Sequence, residues 1–348
     1  MRVVVTGASG NVGSSVVEAL GRDARVSAIV GVCRRPHEWR PARTEWVWAD
    51  VASDDLDPVF SGADAVIHLA WLFQPMRRPE VTWQANVIGS QRVLEAAARS
   101  EVGTLVVASS VGAYSGRQDL EPVREDWPTN GVPVAAYSRE KAYVERLLDQ
   151  HELRHPERRV VRMRPAFIFH EHSRIQQRRL FAGPFVPELL LRPGRLPVLP
   201  LPTDLRLQAV HTEDVATAYV SAVTRDVAGA FNLAADPVLG PADLARVLKS
   251  RWQPVPARLL RNATSAAFHA RAIPTAPELF DLLMQVPMMS SERARAELEW
   301  RPAYTVEEAL SAFLEGDGEA RPSTPPLARR TSGPLRSHEL GTGLGSRP

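Results

Sequence analysis

Tyr137 and Lys141 stand four residues apart in a 348-residue chain that holds only two lysines against forty arginines. Residues at i and i+4 of a helix share one face, so the pair reads as a phenol with a cation beside it. An ammonium in that place favours the phenolate, and the spacing predicts a tyrosine pKa lowered from about 10 toward neutrality. A phenol tuned in that way can give a proton to, or take one from, an alcohol or carbonyl oxygen. A solvated surface pair would show the same spacing, so the surrounding elements have to decide.

Those elements alternate. Apolar runs of strand length occupy Arg2–Thr6, Ala28–Cys33, Trp46–Ala49, Ala65–Ala70, Thr104–Ser109 and Val160–Arg164. Their near-continuous Val, Ile and Leu content predicts strands buried on both faces, as in a parallel sheet covered by helices. Helical spacing runs through Asn11–Gly21, Thr82–Ser100 and Ala136–Gln150, the last carrying Tyr137 and Lys141. The alternation predicts an α/β fold with a doubly wound parallel sheet of Rossmann type. A hydroxyl at the C-terminal end of such a strand, here Ser110, faces the crevice where ligands bind, although it can also serve only local backbone. Its neighbour Ser109 is expected to point elsewhere, because adjacent strand side chains alternate.

The turn after the first run reads Thr6-Gly7-Ala8-Ser9-Gly10-Asn11-Val12-Gly13. Gly7 permits a tight turn, Gly10 lets backbone N–H groups approach a pyrophosphate, and Gly13 allows close packing of helix on strand. The start of the following helix adds positive potential for phosphate. Glycine turns are common; the placement between an N-terminal strand and a helix start is what points to a dinucleotide.

Taken in order, these motifs resemble the extended short-chain dehydrogenases/reductases of the NAD-dependent epimerase/dehydratase family. The resemblance rests on the glycine turn, Ala65-Val66-Ile67-His68-Leu69-Ala70, Asn86 with Gly89, Ser109-Ser110-Val111-Gly112-Ala113-Tyr114, Tyr137-x-x-x-Lys141 and Arg164-Pro165. It extends through Val210-His211-Thr212-Glu213-Asp214-Val215-Ala216 and Glu297-Leu298-Glu299-Trp300-Arg301-Pro302, covering residues 1 to about 315. It implies Tyr137 as general acid/base, Lys141 as the residue that lowers its pKa and bonds the nicotinamide ribose, and Ser110 as holder of the substrate oxygen. It implies a cofactor site of Gly7, Ser9, Gly10, Asn11, Val12, Gly13, Leu69, Ala70, Asn86, Tyr137, Lys141 and Pro165, with Asp50 and Val51 near the adenine. Asn86 would support the active-site backbone or a proton relay, or be a simple polar face residue. His211 and Asp214 look like a helix-starting pair and read as mostly structural.

The resemblance also implies a dinucleotide-binding domain over residues 1–165, rejoined by 207–235, and a smaller substrate-binding lobe over 166–315. A homodimer would pair Thr82–Ser100 and Ala136–Gln150 in a four-helix bundle. At the end of the second strand, NAD enzymes usually place an acid on the ribose 2′-OH. Here the chain reads Val32-Cys33-Arg34-Arg35, and two arginines there suit a 2′-phosphate, which favours NADP with NAD as the alternative. The general abundance of arginine would explain them too.

Two departures narrow the chemistry. The Asp-Glu pair that follows the catalytic hydroxyl of nucleotide-sugar 4,6-dehydratases is Val111-Gly112 here, which disfavours water elimination. The Tyr-Gly-Pro turn usual after the sixth strand is Phe169-His170-Glu171, which weakens the case for ordinary nucleotide-sugar recognition. Residues Ser173–Leu207 mix arginines with Phe181, Phe185, Leu189–Leu191 and the run Pro197–Pro202, and suit an anionic nucleotide-sugar, a lipophilic ketone, or a loop packed on its own domain. His170-Glu171-His172 reads as a loop charge cluster rather than a metal site, because nothing completes a ligand set.

A formal net charge of +2 gives no reason to expect nucleic acid. The single cysteine, Cys33, excludes an internal disulfide framework and fits a reducing cytoplasm. No apolar run approaches the ~20 residues that span a bilayer, and a strand starting at Arg2 leaves no room for a signal peptide. A soluble cytoplasmic protein with neither membrane nor nucleic-acid partner is expected. Residues 316–348, rich in Pro, Ser, Gly and Arg, are expected to be disordered. The leading expectation is an NAD(P)-dependent oxidoreductase acting on a carbonyl or alcohol. The alternatives are a nucleotide-sugar epimerase that retains its cofactor and a non-catalytic dinucleotide-binding sensor or scaffold.

Overall fold

Along the first strand, Arg2–Thr6 (β1), Val3 and Val5 join one buried apolar cluster and Val4 joins another. That alternation places a strand between two layers, each covered by its own helices. Val16, Val17 and Leu20 of the helix Asn11–Arg22 meet Val215, Tyr219 and Val223 of the helix Thr212–Thr224 on one side. Val93 and Leu94 of Gly89–Arg99 meet Val144 and Leu148 of Ala136–Arg154 on the other. The computed structural model describes residues 1–74, 76–170, 173, 177 and 193–316. Residues 317–348 of the expected tail lie outside the described residues, as do Glu171, His172, Phe181, Phe185 and Leu189–Leu191.

The sheet continues through Ala28–Cys33 (β2), Thr44–Trp48 (β3), Ala65–His68 (β4), Thr104–Ala108 (β5) and Arg159–Pro165 (β6). Later come Phe167–Phe169 (β7), Val198–Leu201 (β8), Ala209–His211 (β9), Gly229–Leu233 (β10) and Arg251–Pro254 (β11). The main sheet has the order β10-β6-β5-β4-β1-β2-β3 and every pairing in it is parallel. The order reverses between β1 and β4, the switch point at which an open α/β sheet forms its crevice. The expected doubly wound parallel sheet is therefore present. Two short pairs, β7 with β9 and β8 with β11, stand apart from it.

Element limits moved where local chemistry outweighs pattern. The third strand starts earlier than Trp46, at Thr44, and the fourth stops at His68, so Leu69 and Ala70 form the loop that leaves the sheet. The helix expected from Thr82 begins at Pro79, where proline suits the first turn, and is interrupted by a π turn at Gln84–Ile88. That turn carries Asn86 inward. No helix among the described residues is long and apolar enough to cross a membrane.

Candidate active site

The C-terminal ends of β1, β2, β3, β4, β5 and β6 open onto one cleft of about 860 Å³. Gly7 forms its floor with φ +70, a conformation that side chains with a Cβ rarely adopt, and an added Cβ would lie 2.7 Å from Ala70 N. Gly7 N–H donates to Val32 O at 2.9 Å, which ties the turn to the neighbouring strand. Gly10 stands at the N-cap of Asn11–Arg22 with no side chain capping the exposed N–H groups. Asn11 also lines the cleft, and its Oδ1 is buried without a hydrogen-bond partner. Open helix-end donors and an unmatched buried amide oxygen fit a dinucleotide pyrophosphate and its hydroxyls.

Of the residues expected at a cofactor site, the structure gathers Gly7, Ser9, Gly10, Asn11, Val12, Gly13, Arg34, Asp50, Val51, Leu69, Ala70, Tyr137, Lys141 and Pro165 around this cleft. Arg34 Nη1 stands 3.9 Å from Asp50 Oδ2, and both side chains are exposed. Arg35 is a correction. It is exposed in the bend that follows β2 and is not among the residues that line the cleft.

Asn86 is the second correction. It lies behind the wall: Nδ2 donates to Leu72 O at 2.8 Å and to Glu140 Oε2 at 2.7 Å, while Oδ1 accepts from Leu72 N–H at 2.6 Å. All its polar capacity goes to the loop after β4 and to the tyrosine-bearing helix. It therefore supports backbone rather than touching a ligand in the cleft.

Ser110 and Tyr137 meet at the centre. Ser110 Oγ accepts from Gly112 N–H at 3.0 Å, and the same hydroxyl bonds the Tyr137 phenol. Ser109 points away, as expected, and donates to Glu145 Oε1 at 2.5 Å. Tyr137 packs between Trp71 and Phe73, with ring centroids 5.8 and 4.9 Å distant. Burial pushes its pKa up to about 12, with the Ser110 bond opposing and Glu140 adding to the rise. The expected fall is thus corrected. Lys141 Nζ lies 6.0 Å from the Tyr137 ring centroid, donates to Ala108 O at 2.7 Å and sits 3.4 Å from the centroid of Trp71. Burial pushes Lys141 itself down to about 7, against the pull of Glu140 and Glu145.

A profile of the NAD dependent epimerase/dehydratase family matches residues 3–234. The chain belongs to the NAD-dependent epimerase/dehydratase family. It is similar to an uncharacterized protein of Mycobacterium tuberculosis, 28% identical over 318 residues, an alignment covering 90% of this chain and 30% of that relative. The chain thus spans less than a third of that relative's length. It is also similar to the UDP-glucose 4-epimerase of Azospirillum brasilense, 32% identical over 168 residues, 46% of this chain and 47% of that protein. Among solved structures, MoeE5 in complex with UDP-glucose and NAD superposes with a TM-score of 0.67 at 21% identity, covering 90% of this chain and 98% of that one. At that identity the likeness shows the fold.

Within this member of the epimerase/dehydratase family, sequence reasoning overlooked four residues around the tyrosine. Trp71 and Phe73 follow the motif His68-Leu69-Ala70 directly and form an aromatic wall; two aromatics so near a strand end were the available signal. Glu140 is buried and accepts from Thr82 Oγ1 at 2.6 Å as well as from Asn86. Glu145 is fully buried and accepts from Arg164 Nε at 2.8 Å and Arg162 Nη1 at 3.0 Å. It stands along the helix face that carries Tyr137 and Lys141, one four-residue step beyond the lysine. His211 and Asp214 proved structural: His211 caps Thr212–Thr224, and Asp214 accepts from Ala303 N–H at 2.8 Å and Tyr304 N–H at 3.1 Å. Among the described residues no cluster of His, Cys, Asp and Glu could hold a metal ion.

Proposed function

We propose that the chain is an NAD(P)-dependent oxidoreductase acting at a carbonyl or alcohol carbon, with Tyr137 as general acid/base. The observation that carries this reading is the convergence of Ser110, Tyr137 and Lys141 in one cleft with the glycine turn of β1. A nicotinamide dinucleotide bound there supplies the two-electron acceptor or donor. Gly7, Gly10, Asn11 and Gly13 would hold its pyrophosphate, and Arg34 would pair with a 2′-phosphate, which favours NADP over NAD. Arg34 is well placed for this because its contact with Asp50 is long and solvent-exposed, hence weak.

Ser110 Oγ orients the reacting oxygen against the Tyr137 hydroxyl. In carbonyl reduction Tyr137 starts as a neutral phenol, the state its raised pKa maintains, and gives its proton to the developing alkoxide. In the reverse direction the phenol must ionise, and Lys141 has to leave Trp71 and Ala108 O for the phenolate. Asn86 and Glu140 act by fixing Leu72, and with it the aromatic wall.

A second reading, an epimerase that retains its cofactor, is favoured by the similarity to the Azospirillum brasilense enzyme. Native mass spectrometry of the purified protein, followed by a coupled assay for net nicotinamide turnover, separates the two. Stoichiometric retained nucleotide without net turnover would replace the oxidoreductase reading by the epimerase. We further propose residues 1–165, rejoined by 207–235, as the dinucleotide half, residues 166–315 as the substrate lobe, and a homodimer through the helices around Trp83 and Tyr143.

A further inference from the structure

The wall of the cleft beyond Tyr137 is mostly apolar, with Gln177, Thr264 and Thr275 as further polar members of the lining. Phe167 and Phe169 of β7, Leu279 and Leu283 of the helix Pro277–Gln285, and Phe313 and Leu314 of the helix Val306–Glu315 all face it. Among the described residues, the charged side chains that line the cleft are Arg34, Asp50 and Lys141. Arg34 and Asp50 lie at the ends of β2 and β3, on the dinucleotide side of the tyrosine, and Lys141 is bound by Ala108 O and the Trp71 face.

A second cavity of about 380 Å³ shares Leu72, Phe73, Tyr137 and Leu279 with the cleft. Its charged lining is Arg77, Arg139, Glu140 and Glu278; Arg77 is stacked 3.7 Å from the Phe268 centroid, and Arg139 donates to Pro133 O at 2.6 Å. On the tyrosine side of the cleft the charged side chain among the described residues is Lys141, which already donates to Ala108 O and stacks on Trp71. Moving a diphosphate out of water against such walls is costly, because a buried charge needs paired partners. Burying an aliphatic chain against them is favourable in proportion to its apolar area.

We infer that the substrate of this site is an uncharged, lipophilic secondary alcohol or its ketone, not a nucleotide-sugar. The inference deepens the oxidoreductase reading and rests on it. Its alkyl or aryl body lies along Phe167, Phe169, Leu279, Leu283 and Phe313, with the oxygen at Ser110 and Tyr137. In the reducing direction a bound reduced nicotinamide would supply a hydride, one proton with two electrons, to the carbonyl carbon; the C=O π pair moves to oxygen, and Tyr137 gives that oxygen its proton to leave a C–OH single bond.

The test uses the full chain loaded with NADPH or NADH and two substrate series. Methyl ketones from butanone to decanone are compared with UDP-glucose and UDP-glucuronic acid by kcat/KM. The expected result is an increase of about fourfold per added methylene, with negligible turnover of the UDP-sugars. Leu283→Gln should flatten the series to below about twofold per methylene by wetting the wall. Calorimetric titration of the same loaded protein reads binding without chemistry. Decanone should bind with a negative heat-capacity change and UDP should not bind. Tight UDP binding, faster turnover of a UDP-sugar, or a flat ketone series overturns the inference. Decanone bound with that heat-capacity signature but never reduced overturns the oxidoreductase reading and leaves the pocket assignment standing.

Discussion

A methyl group at Gly112 would lie 2.7 Å from Tyr137 Cε1 and 3.4 Å from Ser110 Oγ, between the two side chains. Gly112→Ala should therefore displace the phenol from Ser110 and lower kcat by about 10²-fold, the usual scale of a misplaced acid/base. Steady-state kinetics check it, and an unchanged kcat would show that the ring has room to yield. At the other end of the cleft, Arg34→Ala should weaken NADPH binding by at least about tenfold and leave NADH within about twofold, as expected for loss of a charge-assisted phosphate contact. Fluorescence titration with both nucleotides measures the ratio; equal losses would contradict the phosphate role. The identities of Tyr137, Lys141 and Ser110 were readable in the chain because motif spacing reports them. The protonation behaviour was not. Spacing tells that a lysine is near a tyrosine, whereas burial sets the phenol at about 12 and the ammonium at about 7.

The helix Ala136–Arg154 presents Tyr137, Lys141 and Glu145 at four-residue steps, and β6 presents Arg162 and Arg164 to the same helix. Glu145 carries the carboxylate that pairs with Arg164, and Arg162 shares it with Asp149 and Glu152. Burial raises its pKa, but the Arg164 bond and charge, Ser109 and Arg162 outweigh that and hold it down to about 2. Glu145→Gln leaves the buried Arg164 guanidinium without its counter-charge, while Arg162 keeps Asp149 and Glu152, and should cost about 3 kcal/mol at pH 7. A carboxyl whose folded pKa is depressed stabilises the fold above its unfolded value, and that contribution is lost as pH falls through the folded one. The gap between wild type and Glu145→Gln should accordingly shrink from about pH 4.5 toward 2. Urea unfolding across that range measures it, and a gap independent of pH would show the loss to be packing rather than charge. Strand β3, half-buried to exposed at the sheet edge, starts two residues before its apolar run, whereas β1, β2, β4 and β5 were legible because they are buried along nearly their whole length and read as apolar runs. The pairs β7–β9 and β8–β11 were not, since three- and four-residue strands with a proline at Pro200 leave no periodic trace. Trp71 and Phe73 were missed for a related reason: a loop held by Asn86 brings them over Tyr137.

At the scale of the whole molecule, two layers of helix secure a sheet whose C-terminal edge is left open, and β7 with the helices Pro277–Gln285 and Val306–Glu315 lines the cleft at that edge. Outside the cleft, Trp83 and Tyr143 stand 37% and 46% exposed with ring centroids 5.0 Å apart, an aromatic pair on the two helices proposed to meet a second copy. Aromatic residues of this kind anchor interfaces. The double substitution Trp83→Arg and Tyr143→Arg should turn a dimer into a monomer in sedimentation equilibrium, and a monomeric wild type would remove the proposed interface. In the proposed mechanism the glycine turn binds the nucleotide and Tyr137 transfers the proton, two tasks kept on separate elements. Turnover and nucleotide affinity measured together on Tyr137→Phe test it most directly. In that variant kcat should fall by about 10²–10⁴-fold while nucleotide affinity stays within about twofold of wild type; full kcat in Tyr137→Phe would contradict the acid/base role.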